Sequence, residues 1–172
     1  MNQAVRALAA AVIASLALTG CAAQSPTDAA TVSGVRIPES EIGLSIAALA
    51  TATQSDPREI RLPVVNTAVL GLVAERLADA ADIPLTDAAR QPILDQVPQL
   101  QQIAQTEGGR LYVTDATNYV LVQRTMGEDA FLTECAKVDV ALNPRYGSWI
   151  EESCQVSGDT GSLSRSVPTS AP

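Results

Sequence analysis

The stretch Lys137–Cys154, "KVDVALNPRYGSWIEESC", decides how the chain is read, because it holds the only Lys, the only Trp and one of the three Tyr. Most of what precedes it is alanine-rich with helical spacing. Val138 to Leu142 instead alternates in the manner of a strand and carries β-branched residues. A strand needs a partner, and the residues of this stretch do not name one; another β-rich piece lies far upstream, at Thr31–Ile37. There Thr31, Val32 and Val35 to Ile37 flank Gly34, the pattern of a short strand or hairpin turning at a glycine. Pairing across the whole intervening sequence would put β-branched residues at both ends of a helical domain.

Between those ends the apolar residues repeat every three or four positions. Pro38 begins a first helix, with Glu39 and Glu41 at its positive end and Ile42, Ile46, Leu49 and Thr53 on one face. A second is expected over about Glu59–Ala81, with Leu62, Val65, Val69, Leu72, Val73, Arg76 and Leu77 as its stripe and Pro63 in its first turn. A third begins after the N-cap Thr86, carries Ala89, Ile93, Val97, Leu100 and Ile103, kinks at Pro98 and ends at Gly108-Gly109. The β-branched and aromatic content of "RLYVTDATNYVLVQRTMG" also suits a strand, but the spacing of Tyr112, Ala116, Tyr119 and Val120 favours a fourth helix, and "EDAFLTECAK" a short fifth. The fold class is therefore mostly α: a bundle of about four to five helices in a domain at 31–150.

Composition narrows function. The formal net charge is -8 and aromatics make up 3% of the chain. An acidic chain is a poor match for nucleic acid or a polybasic membrane contact. No His is present, so Ser-His-Asp and Cys-His catalysis are unavailable. No phosphate-binding glycine loop is found, and no metal site or cofactor is expected. The carboxylates read as scattered over solvated faces with no paired constellation. No enzymatic activity is expected.

Residues 1–20 read as a lipoprotein signal peptide. Arg6 precedes an uncharged run from Ala7 to Leu18, shorter than a bilayer span. Leu18-Thr19-Gly20-Cys21 then resembles the bacterial lipobox. That resemblance implies cleavage before Cys21, a diacylglyceryl thioether on it, acylation (palmitate) of the new amino terminus and an anchor in the outer face of the cell membrane. Residues 21–30 would be a tether, and 151–172 an attachment at Cys154 followed by a disordered Ser/Thr/Pro tail. Export leaves Cys135 and Cys154 where disulfides persist, and a structural bridge between them is expected.

"TVSGVRIPESEI", from Thr31 to Ile42, resembles the V-N-G-x-x-I-T-x-x-E-[VI] opening of the SurA/PrsA-type chaperone N-terminal domain. Ser33 and Pro38 stand where that pattern has Asn and Thr. "VDVALNPRYGSW" resembles the ending of short actinobacterial lipoproteins that carry the same domain. The resemblance implies that the two chain ends meet as a small two-stranded sheet beside the helices, Val138 to Leu142 against Thr31 to Ile37, joining the N- and C-terminal ends of the domain. It does not extend to isomerase activity, since the parvulin active site uses His residues. What it implies is an ATP-independent, chaperone-like protein that binds unfolded or exported polypeptides. Two alternatives stand beside it: a dedicated interaction subunit of a cell-envelope complex, and a lipoprotein binding a small molecule or lipid. Within "NPRYGSW", Asn143-Pro144 ends the strand and Gly147 permits a turn. Arg145, Tyr146 and Trp149 are either a binding patch or caps on the end of the core.

Overall fold

The computed structural model describes residues 27–158. The signal segment, the proposed lipid site at Cys21 and the tail from 159 onward lie outside the described residues.

Strand β1 (Asp28–Val32) turns through Ser33 and Gly34 into β2 (Val35–Pro38). Both turn residues have positive φ, 48° and 79°, as a two-residue hairpin matched to right-handed strand twist requires. Helix α1 (Glu39–Thr53) starts directly from Pro38, with Glu39 and Glu41 in its first turn. Helix α2 (Pro57–Ala80) is capped by Asp56, whose side chain accepts a hydrogen bond from Arg58 N at 2.8 Å. Because Pro57 opens this helix, Pro63 lies in its second turn, not its first as expected. It is on the exposed face, where solvent can serve the carbonyl that loses its partner.

Helix α3 (Asp87–Gln96) begins at the expected cap, Thr86 accepting from Ala89 N at 3.2 Å. Pro98 does more than kink it. Val97 is turned out of helical backbone (φ -131°, ψ 76°), and a separate helix α4 (Pro98–Ile103) starts at Pro98. The described residues thus contain six helices, and Val97, expected on the core stripe, is 40% exposed. Helix α5 (Glu107–Met126) is capped by Thr106. Gly108 and Gly109 lie in its first turn and do not terminate a helix. A Cβ at Gly108 would collide with the Leu44 carbonyl of α1, and one at Gly109 with the Ile103 carbonyl. Two glycines therefore let α5 start against its neighbours. Helix α6 (Glu128–Cys135) follows after Gly127.

Strand β3 (Val140–Leu142) returns to the beginning of the domain and pairs antiparallel with β1, Thr31 opposite Ala141 and Val32 opposite Val140. The joining of the two ends is as expected. The sheet, however, has three strands in the order β2-β1-β3, because Val35–Pro38 pairs with the other edge of β1. Ser33 N donates to Asp139 O (2.7 Å) and Asn143 N to Ala29 O (2.9 Å), extending the contact beyond the ladder. The domain starts earlier than 31: Asp28 is buried, and Ala29 and Ala30 are fully so, hence not part of a tether.

It also continues past 150. Strands β4 (Ser148–Ile150) and β5 (Gln155–Ser157) form an antiparallel hairpin through a 3-10 turn at Glu151–Ser153, so the first residues of the expected tail are folded. The Cys135–Cys154 disulfide ties α6 to this hairpin. Helices α1, α2 and α5 surround an aliphatic core centred on Val64, Val65, Val69, Val73 and Val122, with Phe131 closing one end. No helix among the described residues is long and apolar enough to cross a membrane.

Candidate functional site

The three residues singled out in the closing motif have different positions. Tyr146 is buried, and its hydroxyl donates to Glu39 Oε1 at 3.1 Å. Arg61 of α2 lies 4.5 Å from its ring centroid, a cation–π contact. Burial holds the Tyr146 phenol above its ordinary pKa. Arg145 forms an ion pair with the same Glu39 and remains partly exposed. Asn143 accepts from Arg145 N and donates to Asp28 O at 3.0 Å, joining the motif to the start of β1. Trp149 lies apart from this cluster, opposite Val156 in the β4–β5 hairpin and packed on the core. Its Nε1 is buried without a hydrogen-bond partner among the described residues. Arg145 and Tyr146 are thus brought together around Glu39, whereas Trp149 is not. Gly147 adopts φ 125°, and a Cβ there would collide with the Ser157 carbonyl, so it permits the hairpin to close.

Two of the openings that lie away from the closing motif bear on function. The first is a groove of about 500 Å³ between α1 and the α4–α5 corner. Leu44, Ala47, Ala48 and Ala52 line one side; Ile103 and Gly108 lie on the other. Leu44 is 43% exposed there. The hydroxyls on the walls are occupied locally: Thr51 donates to Ala47 O at 2.8 Å, and Thr106 accepts from Gly109 N at 3.1 Å. The groove surface is therefore mainly aliphatic, and the alanines of α1 leave the space that forms it.

The second is a cleft of about 210 Å³ where β2, α1, α2 and α5 meet. Glu41, Glu75 and Asp115 line it with Ser45. This corrects the reading of the carboxylates as scattered: three elements bring three of them to one place. Asp115 sits against Gly71, whose Cβ would lie 2.5 Å from that of Asp115. Burial first, then the charges of Glu75 and Glu41, push the Asp115 carboxyl up to about 8. Glu75 Oε1 accepts from Asn118 Nδ2 at 3.1 Å, and Asn118 Oδ1 accepts from Arg90 at 2.9 Å, a chain linking α2, α5 and α3. The signal was present in sequence: Leu111, Asp115, Asn118 and Val122 repeat at helical spacing, so two polar residues stand in a core stripe. Among the described residues, no three His, Cys, Asp or Glu side chains are placed to hold a metal ion.

No protein-family model, no curated protein and no solved structure matches the chain.

Proposed function

We propose that the protein is a lipid-anchored holdase, attached through Cys21 to the outer face of the cell membrane, that binds apolar segments of unfolded or exported polypeptides without ATP. The observation that supports this reading best is the open aliphatic groove between α1 and the α4–α5 corner. A closed cavity would suit a small-molecule carrier; an open trough suits an extended apolar segment. Its volume falls in the range of ligand-binding clefts, roughly 300–1,000 Å³.

Weak affinity follows from the same geometry. Burying one or two aliphatic side chains contributes about 1.5–3 kcal/mol each, while association costs at least about 4 kcal/mol. Alanines on the groove wall offer little aromatic or Met surface to raise that balance. Weak, rapidly reversible capture is what a holdase without a hydrolysis cycle requires.

The test is aggregation of several unrelated unfolded proteins in the presence of the purified chain. The wild type should slow aggregation without ATP, and Ala47→Asp, which places a charge in the groove, should abolish the effect while leaving the melting temperature unchanged within about 2 °C, as for other exposed surface substitutions. If the wild type protects no generic client, and crosslinking from Ala47 recovers one envelope protein in near-stoichiometric amount, the dedicated-subunit reading replaces this one.

A further inference from the structure

The closing motif and the start of α2 enclose two adjoining clefts, both separate from the groove that is proposed to capture clients. Arg58, Arg61 and Tyr146 stand in the walls of both. The first, about 290 Å³, is otherwise lined chiefly by Ile42, Ile46 and Pro57, with Glu39 also on its wall. The second, about 170 Å³, adds Leu62, Arg145 and Gly158, and among the described residues no carboxylate lines it.

The three cations are gathered around one ring. Arg61 Cζ lies 4.5 Å and Arg145 Cζ 5.5 Å from the Tyr146 centroid. Arg58 is one turn from Arg61 on α2, so the two share a helix face. Arg145 is paired with Glu39, but neither Arg58 nor Arg61 forms an ion pair among the described residues. The chain has 19 Asp and Glu against 11 Lys and Arg, so carboxylate partners are not scarce. Like charges one turn apart repel, and Arg58 also stands in the first turn of α2, the end of a helix where cations are disfavoured. An anion in the cleft relieves both.

We propose that these clefts bind the C-terminal residue of a polypeptide, its carboxylate on Arg58 and Arg61 and its aliphatic side chain between Ile42, Ile46 and Pro57. A carboxylate offers about four acceptor sites on two oxygens, and a guanidinium is a planar fork of donors with no acceptor. Two arginines therefore saturate one carboxylate in charge-assisted hydrogen bonds, while Arg145 keeps Glu39 and adds its charge to the wall. The cation–π contact with Tyr146 holds Arg61 in place. The Glu39 carboxylate nearby favours a monoanion over a phosphate dianion. The apolar cleft falls just below the roughly 300–1,000 Å³ of drug-sized ligand sites, which suits one aliphatic side chain better than a long acyl chain. The shared walls require the anion and the apolar group to be adjacent. The last residue of a chain meets that requirement, because its carboxylate and side chain leave the same Cα.

The experiment titrates the purified full chain calorimetrically with acetyl-Gly-Gly-Leu as the free acid, the same peptide as its C-terminal amide, acetyl-Gly-Gly-Gly as the free acid, and hexanoate. The expected result is saturable binding of the Leu acid, weaker by at least about tenfold for the amide, which lacks the charge, and for the Gly peptide, which lacks the side chain. Arg58→Gln, at an exposed position, should weaken binding by at least about threefold with the melting temperature unchanged within about 2 °C, and adding Arg61→Gln should abolish it. The titration uses no aggregating client, so its failure and the failure of the holdase reading are separate results. No saturation by the Leu acid, equal binding of the amide or of the Gly peptide, or an unchanged affinity in Arg58→Gln overturns the proposal. So does tighter binding of hexanoate, which would assign the clefts to a free aliphatic acid.

Discussion

Reduction of the Cys135–Cys154 bond is expected to lower the melting temperature by about 12 °C. The bridged residues are 19 apart in sequence. In the chain-entropy treatment, closing a loop of that size removes about 11 cal/mol/K from the unfolded ensemble, or roughly 3.3 kcal/mol at 25 °C. The folded unit spans residues 27–158. At about 2.1 cal/mol/K per residue its unfolding entropy is near 0.28 kcal/mol/K, and the ratio of the two gives the shift. Both sulfurs are in the core, Cys135 fully buried and Cys154 3% exposed. Replacing both by Ala should therefore cost more than reduction alone, by about 1 kcal/mol or more for the lost packing. The bridge holds α6 to the β4–β5 hairpin, which is otherwise fixed by Val156 N donating to Asn66 Oδ1 at 2.8 Å and by burial of Val156.

Calorimetry of the same preparation before and after reduction, with thiols blocked by alkylation in a third sample, checks this. The transition should stay single, and the order of melting should be oxidised, then reduced, then the double Ala variant. A shift below about 3 °C on reduction would refute the entropic reasoning, since it would mean that the loop is already restricted in the unfolded chain. A hairpin that melts separately and well below the rest would refute the claim that it belongs to the same cooperative unit.

Gly108→Ala should destabilise by about 1–3 kcal/mol in urea unfolding, although Ala in a helix ordinarily gains about 1 kcal/mol over Gly, because its Cβ would displace α5 from the Leu44 carbonyl. A chain beginning at Pro38 should lose cooperative melting by circular dichroism, since β1 is the middle strand of the sheet and its Val32 is fully buried. Asp115→Asn should flatten the pH dependence of stability. The folded state holds the Asp115 proton up to about pH 8 while the unfolded chain releases it near 3.8, so wild-type stability falls as pH rises between those values and then levels. The variant should gain over the wild type progressively from pH 4 to pH 8 in thermal melts, each tenfold difference in proton affinity between the folded and unfolded states corresponding to about 1.4 kcal/mol.

The parts of the fold that were readable in sequence are those recorded within one element. The valines of α2 face one way because their spacing matches the helix, and the strand character of Val140 to Leu142 is carried by its own side chains. Thr86 announces the start of α3 by a local hydrogen bond. The pairing of β1 with β3 was legible only through the resemblance of the two ends to one family, not from the residues of either strand. The start of β1 was not, since Asp28, Ala29 and Ala30 have no β-branched side chain; their strand conformation is imposed by β2 and β3 on either side.

The same limit explains the glycines and the carboxylates. A glycine that ends a helix and a glycine that admits a neighbouring backbone are the same letter, and only the position of Leu44 distinguishes them at Gly108. Each of Glu41, Glu75 and Asp115 taken alone sits on a helix with polar neighbours, and nothing in its local pattern says that the others are near. Their convergence depends on how closely α2 and α5 approach, which Gly71 sets by letting Asp115 lie against its backbone. A Cβ at position 71 would push Asp115 away and open the cleft, relieving the burial that raises its pKa. The acidity of that cleft is thus governed by a residue that carries no charge.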